Sequence, residues 1–215
     1  MIRSLATQNW LMITFILLMV LLVILHSLYE TRFLKLLSLA NTNKYFVEYK
    51  NRKNAFFSFF NAILLVFLIA VLSLFILLVQ SLLLKTELTF IIYLKIIEFF
   101  FLFVVGRYLI GKLLSFIFGI NKIQGILSFV KFTYLTIISL YLFPLLFLYI
   151  YGFHNAYFLW FMISIFVLFL LFFYIKILIT NQKLIFSNLF YFILYLCALE
   201  ITPLIYLYRM IFFKV

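Results

Sequence analysis

The chain has 215 residues, 69% of them hydrophobic and 10% charged, with 17 Lys and Arg against five acids. Soluble domains are about 45–50% apolar and about 25% charged, and their surfaces need polar cover that this composition does not supply. A mean hydropathy of +1.33 therefore excludes soluble, disordered, collagen-like and disulfide-scaffold classes and leaves a polytopic helical membrane protein.

A bilayer core about 30 Å thick takes about 20 apolar residues in a helix rising about 1.5 Å each. By that measure the chain predicts six spans: Trp10 to Leu28, Ala55 to Leu84, Leu88 to Ile110, Phe132 to Tyr151, Ala156 to Leu178 and Leu184 to Tyr208. The second is too long to stand upright and must tilt or project. The first reads as retained, because its apolar run is too long for a signal peptide and His26-Ser27-Leu28-Tyr29 offers no small-residue cleavage site. The expected fold is all-α: one polytopic transmembrane helical bundle over residues 1–215. No internal repeat or Gly/Pro-rich linker divides it.

Charge sets the expected orientation. Twelve of the 17 cations follow spans one, three and five: Arg32, Lys35, Lys44, Lys50, Arg52, Lys53, then Arg107, Lys112, Lys122, Lys131, then Lys176 and Lys183. Only Arg3, Lys85, Arg209 and Lys214 fall on the other side, and Lys95 lies within a span. Cytoplasmic loops collect Lys and Arg, so both termini are expected in the periplasm of a bacterium with an inner membrane.

Two cytoplasmic segments read as short amphipathic helices in the headgroup plane. Thr31 to Asn54 mixes Phe33, Leu34, Leu36, Leu37 and Leu39 with Arg32 and Lys35; Arg107 to Ile120 repeats the pattern around Arg107 and Lys112. Together with Lys50, Arg52 and Lys53 these cations form the expected lipid- or partner-facing basic surface.

Ionisable groups within spans are the candidate functional residues, since each costs at least about 2.5 kcal/mol at mid-depth. Glu200 has no cation within four positions, and Pro203 kinks the helix beside it while Thr202 helps satisfy the freed backbone. A titratable proton or cation site and a neutral hydrogen-bonding glutamate both fit. Lys95 and Glu98 lie three apart, close enough to pair on one face, with Glu87 near the same stripe. The pair either neutralises itself or faces Glu200 across the bundle. Asn61, Ser73, Gln80 and Ser139 read as modest interhelical glue.

Catalytic and metal motifs do not appear: no HExxH, no phosphate loop, no GxSxG, no Asp, and His26 and His154 stand at opposite sides. No enzyme activity, cofactor, metal or nucleic-acid partner is expected, and the lone Cys197 reads as a core residue. The expected partners are the bilayer and other envelope membrane proteins, or a second copy of the chain.

The run Phe190-Tyr191-Phe192-Ile193-Leu194-Tyr195-Leu196-Cys197-Ala198-Leu199-Glu200-Ile201-Thr202-Pro203-Leu204, followed by Tyr208-Arg209, resembles the closing motif of an uncharacterised integral-membrane family of the Bacteroidota. The resemblance is specific over roughly the last 25 residues. It implies a Gram-negative inner membrane, carries no activity, and singles out Cys197, Glu200 and Pro203. Two functions follow as expectations. One is a non-catalytic accessory or scaffold subunit of an envelope assembly serving secretion, motility or envelope biogenesis. The other is a small proton- or ion-coupled transporter or channel subunit using Glu200 at the Pro203 kink.

Overall fold

The computed structural model describes residues 9–40, 44–49, 58–84, 88–117, 119, 121–152 and 155–180. Every regular element among them is helical: α1 (Asn9–Leu28), α2 (Glu30–Leu37) with a 3-10 turn (Ser38–Ala40), α3 (Lys44–Tyr49), α4 (Phe59–Leu84), α5 (Phe90–Ile117), α6 (Asn121–Tyr151) and α7 (Ala156–Thr180). Backbone N–H and C=O groups in hydrocarbon have no water to bond, and a helix satisfies them within its own segment. Helices α1, α4, α6 and α7 are each long and apolar enough to cross a membrane, as a membrane protein requires.

Helices α4 and α6 form the centre. α4 packs against α1, α5 and α6, while α6 also meets α5, α7 and α2. Alternating helix directions leave two apolar cores. One joins the first half of α1 to the second halves of α4 and α6 and the starts of α5 and α7, through residues such as Phe15, Phe67, Phe75, Tyr93, Phe143 and Met162. The other joins the end of α1, the helices α2 and α3, the starts of α4 and α6 and the end of α7. That second end holds Arg32, Lys35, Lys131 and Lys176, and is called the basic end below. Trp10 marks the opposite end, its ring 5.8 Å from both Phe90 and Tyr93.

Three expectations are corrected. The third span was expected to stop at Ile110, with a separate interfacial helix from Arg107 to Ile120. Instead α5 runs unbroken to Ile117, because Tyr108 to Ile117 contains no proline and Gly111 alone does not interrupt the hydrogen-bond ladder. At 28 residues it is about 42 Å long. It carries Lys95, Glu98, Arg107 and Lys112, more charged residues than any of the four helices named above. The fourth span was expected from Phe132, yet α6 begins at Asn121, so Lys131 lies within a helix and is buried rather than in a loop. Hydropathy marks the part of a helix that suits lipid, whereas α5 and α6 continue past it. The segment after α1 is two short helices folded onto α1 and α6, not one helix lying free in the headgroup plane. The sixth expected span, 184–208, lies outside the described residues.

Hydroxyls within α6 bond locally rather than across helices. Thr133 Oγ1 donates to the Phe129 carbonyl at 2.8 Å and Ser139 Oγ to that of Thr136 at 2.7 Å. Ser73 Oγ is buried and has no partner among the described residues. Across helices, the Tyr93 hydroxyl donates to the Ala70 carbonyl at 3.4 Å. Lipid is as apolar as the side chains, so the bundle is held mainly by van der Waals packing and such contacts.

The α5–α6 reversal is made at Gly119, whose φ of 68° is a left-handed conformation that a Cβ disfavours. Nothing lies within 4 Å of a Cβ built there, so the cost of substitution is backbone strain alone. Gly119→Ala is expected to destabilise by about 1 kcal/mol. A lower midpoint in detergent thermal scans checks this, against an unchanged or raised midpoint for Gly106→Ala, where the space is equally open and φ is helical.

Candidate functional site

The polar side chains of the described residues converge at the basic end, around Arg32. α2 is amphipathic: Leu36 is buried beneath it while Leu34 and Leu37 stay exposed. This packing turns Arg32 toward α3 and α4 rather than toward solvent. Its Nη1 donates to Ser58 Oγ at 3.1 Å and its Nη2 to Asn61 Oδ1 at 3.2 Å. The guanidinium carbon lies 4.8 Å from the Tyr49 ring centroid and 4.4 Å from that of Phe60. A planar, weakly hydrated cation suits such a slot, and each cation–π contact there contributes about 0.5–2 kcal/mol.

Ser58 serves two structures at once. It precedes α4 and its Oγ accepts the Asn61 backbone N–H at 3.4 Å, a helix N-cap, while also accepting from Arg32. A cation at the positive end of a helix dipole is electrostatically unfavourable. The ring faces and the Asn61 carbonyl oxygen offset that cost. Arg32 Nε is buried and unpartnered among the described residues.

The clamp belongs to a wider cation–aromatic layer. Tyr45 stacks on Phe129 at 6.0 Å, Phe46 meets Tyr134 edge-on at 5.3 Å, and Tyr134 stacks on Phe173 at 4.7 Å. Lys131 lies 6.0 Å from the Tyr174 ring and Lys176 5.9 Å from the Tyr134 ring, tying α6 to α7. Lys35 pairs with Glu48 between α2 and α3; both are well exposed, so solvent screens that bridge. Burial pushes the Tyr45 phenol above its ordinary value, and the Arg32 guanidinium pulls the other way through its charge and a hydrogen bond.

The structure divides the sequence-chosen residues. Arg32, expected at the lipid surface, is instead half-buried in the clamp, because α2 docks with that face inward. Lys35 and Glu48 pair, and Lys112 is exposed. Arg107 is half-buried on the face of α5 opposite Glu98. Lys95 and Glu98 are both exposed and do not form the expected ion pair. Lys preceding Glu is the less favourable order for such a pair. Glu200, Thr202, Pro203, Lys50, Arg52 and Lys53 lie outside the described residues. Among the described residues no three of His, Cys, Asp or Glu gather as a metal site. Sequence reading passed over Ser58, Tyr45 and Tyr49. A Ser immediately before a long apolar run is a readable N-cap signal; the tyrosines, one turn apart on a short helix, are not separable from core residues without the fold.

Loss of the clamp is expected to destabilise the protein. Arg32→Leu leaves the Asn61 carbonyl oxygen short of a donor, at about 1–3 kcal/mol. Arg32→Lys should recover part of that, having charge but no fork. Asn61→Asp should stabilise, since the carboxylate charge-assists the Arg32 contact and suits the α4 N-terminus. Detergent thermal midpoints in the order Asn61→Asp, wild type, Arg32→Lys, Arg32→Leu check the series. Alkaline pH offers a separate test. A phenol with a raised folded value contributes stability that is intact below about pH 10 and is lost as pH rises through the raised value. Tyr45→Phe should therefore flatten the fall of the midpoint above pH 10, the ordinary value of that phenol being 10.0.

No curated protein and no solved structure matches the chain. The family comparison does find a match: over residues 11–211 the chain fits, and so belongs to, the family described as Domain of unknown function (DUF4271).

Proposed function

We propose that this protein is a small, non-catalytic accessory or scaffold subunit of a bacterial envelope assembly, anchored in the inner membrane of a Gram-negative cell of the Bacteroidota type. The observation that carries the reading is how the bundle distributes polar and apolar surface. At the basic end its described polar groups are used internally, to clamp α2 and α3 onto the starts of α4 and α6. Its outer helices are left bare. The most apolar stretches of α1 and α7 are 22% and 17% buried, against 61% for α4 and for α6.

Those bare faces are continuous and uncharged. On α1 they include Met12, Ile16, Met19, Val20 and Val23; on α7 they include Leu168, Leu171, Phe172 and Ile175. An open, wholly apolar groove of about 500 Å³ runs between α1 and α6. Surfaces of this kind suit lateral contact with the helices of neighbouring membrane proteins. The excess of Lys and Arg at one end supports placing that end in the cytoplasm and both termini in the periplasm. The aromatic-backed cations of the basic end would then lie at the headgroup level, where anionic lipids attract them.

The test is recovery of the tagged protein in mild detergent at native expression, followed by mass spectrometry and a native-mass determination. Stoichiometric co-recovery with other envelope proteins is the expected result. Recovery as a monomer or homo-oligomer alone overturns the subunit reading.

A further inference from the structure

We propose that the outer face of α5 is an interface for a second copy of this chain, with Lys95 of each copy paired to Glu98 of the other. The observation that calls for an occupant is charge at depth. On its inner side α5 packs against α4, and the Tyr93 hydroxyl donates to the Ala70 carbonyl, near the middle of α4. Lys95 and Glu98 follow about 3 Å and about 8 Å further along α5, so both lie beside the apolar centre of the bundle. Both are exposed, and neither has an ion pair or hydrogen bond among the described residues. Hydrocarbon offers such groups nothing, and at that depth they pair within protein.

Spacing selects the occupant. Ile91, Lys95, Glu98, Leu102, Val105 and Leu109 are all exposed, and they follow one another at alternate steps of four and three residues. That is the seam by which parallel helices interlock, and a polar residue in such a seam fixes its register. Copies inserted by the same charge rule share one orientation, so a two-fold axis along the membrane normal sets the stripe against itself at equal depth. Such an interface must be self-complementary, and a cation beside an anion meets that condition. Lys95 and Glu98 of the other copy are offset by three residues, about 4.5 Å, within reach of a lysine side chain, and the contact is made twice. An unrelated helix would have to carry the opposite charges at the same depth, whereas a second copy brings them automatically. Lys112 is the next position of the stripe. It lies about 21 Å nearer the basic end than Glu98, where a long side chain reaches the headgroups instead of its counterpart. This pairing does not rest on the subunit reading: a dimer recovered with or without other envelope proteins satisfies it.

Crosslinking of the full chain in its own membranes tests the interface. The single cysteine, Cys197, is first replaced by serine, and Leu102→Cys is then oxidised with copper phenanthroline. The expected result is a disulfide-linked dimer that a reductant dissolves, whereas Leu171→Cys, similarly exposed on α7, stays monomeric. Absence of the Leu102→Cys dimer overturns the interface, as do dimers of both variants in equal yield. The charge pair is read in the Leu102→Cys chain. Lys95→Glu or Glu98→Lys alone is expected to cut the dimer fraction several-fold. Co-expressed under different tags, these two single variants should crosslink to each other, because one face then carries two carboxylates and the other two ammonium groups. A charge pair within one chain cannot give that mixed rescue, so its failure overturns the pairing between copies.

Discussion

An apolar surrounding offers no hydrogen bonds, and this single constraint shapes the chain at every level. Backbone groups are satisfied within helices, so the described residues are helix upon helix with short reversals between them. Hydroxyls such as those of Thr133, Thr136 and Ser139 turn back to their own helix carbonyls instead of reaching across. The larger polar groups cannot be accommodated so locally. They gather at the basic end of the bundle, and Arg32 is the clearest case.

The Arg32 clamp shows why a cation can hold a membrane bundle together. Its charge needs no carboxylate, because two ring faces and two polar oxygens surround the guanidinium. It joins α2 and α3, helices of 8 and 6 residues, to the start of α4. Lys131 and Lys176 repeat the device between α6 and α7 with tyrosine rings. The same end of the molecule thus supplies both an excess of positive charge and the aromatic packing that holds its short helices. That double use is the reason the polar residues there read as architecture rather than as chemistry, and it underlies the subunit proposal.

The outer surfaces carry the remaining information. The middle of α1 presents apolar side chains outward, and α7 does so apart from Ser164; lipid or a neighbouring helix can cover such faces equally well. α5 differs because its outward face carries two charged residues, Lys95 and Glu98, both exposed.

Composition and the periodic placement of cations determined the class of the protein, the all-helical bundle and the positions of α1, α4 and α7, because the burial of about 20 apolar residues in lipid is written in local sequence. Helix ends were less legible. α5 and α6 continue as helices beyond the stretch that suits lipid, and hydropathy is blind to a polar turn of helix. The roles of the charged residues were decided only by tertiary structure. Arg32 reads locally as one more surface cation, yet Asn61, 29 residues further on, returns to meet it. Lys95 and Glu98 read as a pair from their spacing, yet the side of α5 that packs leaves both facing outward. Local sequence counts the charges and spaces them along a helix; which face of that helix is covered depends on neighbours from distant parts of the chain.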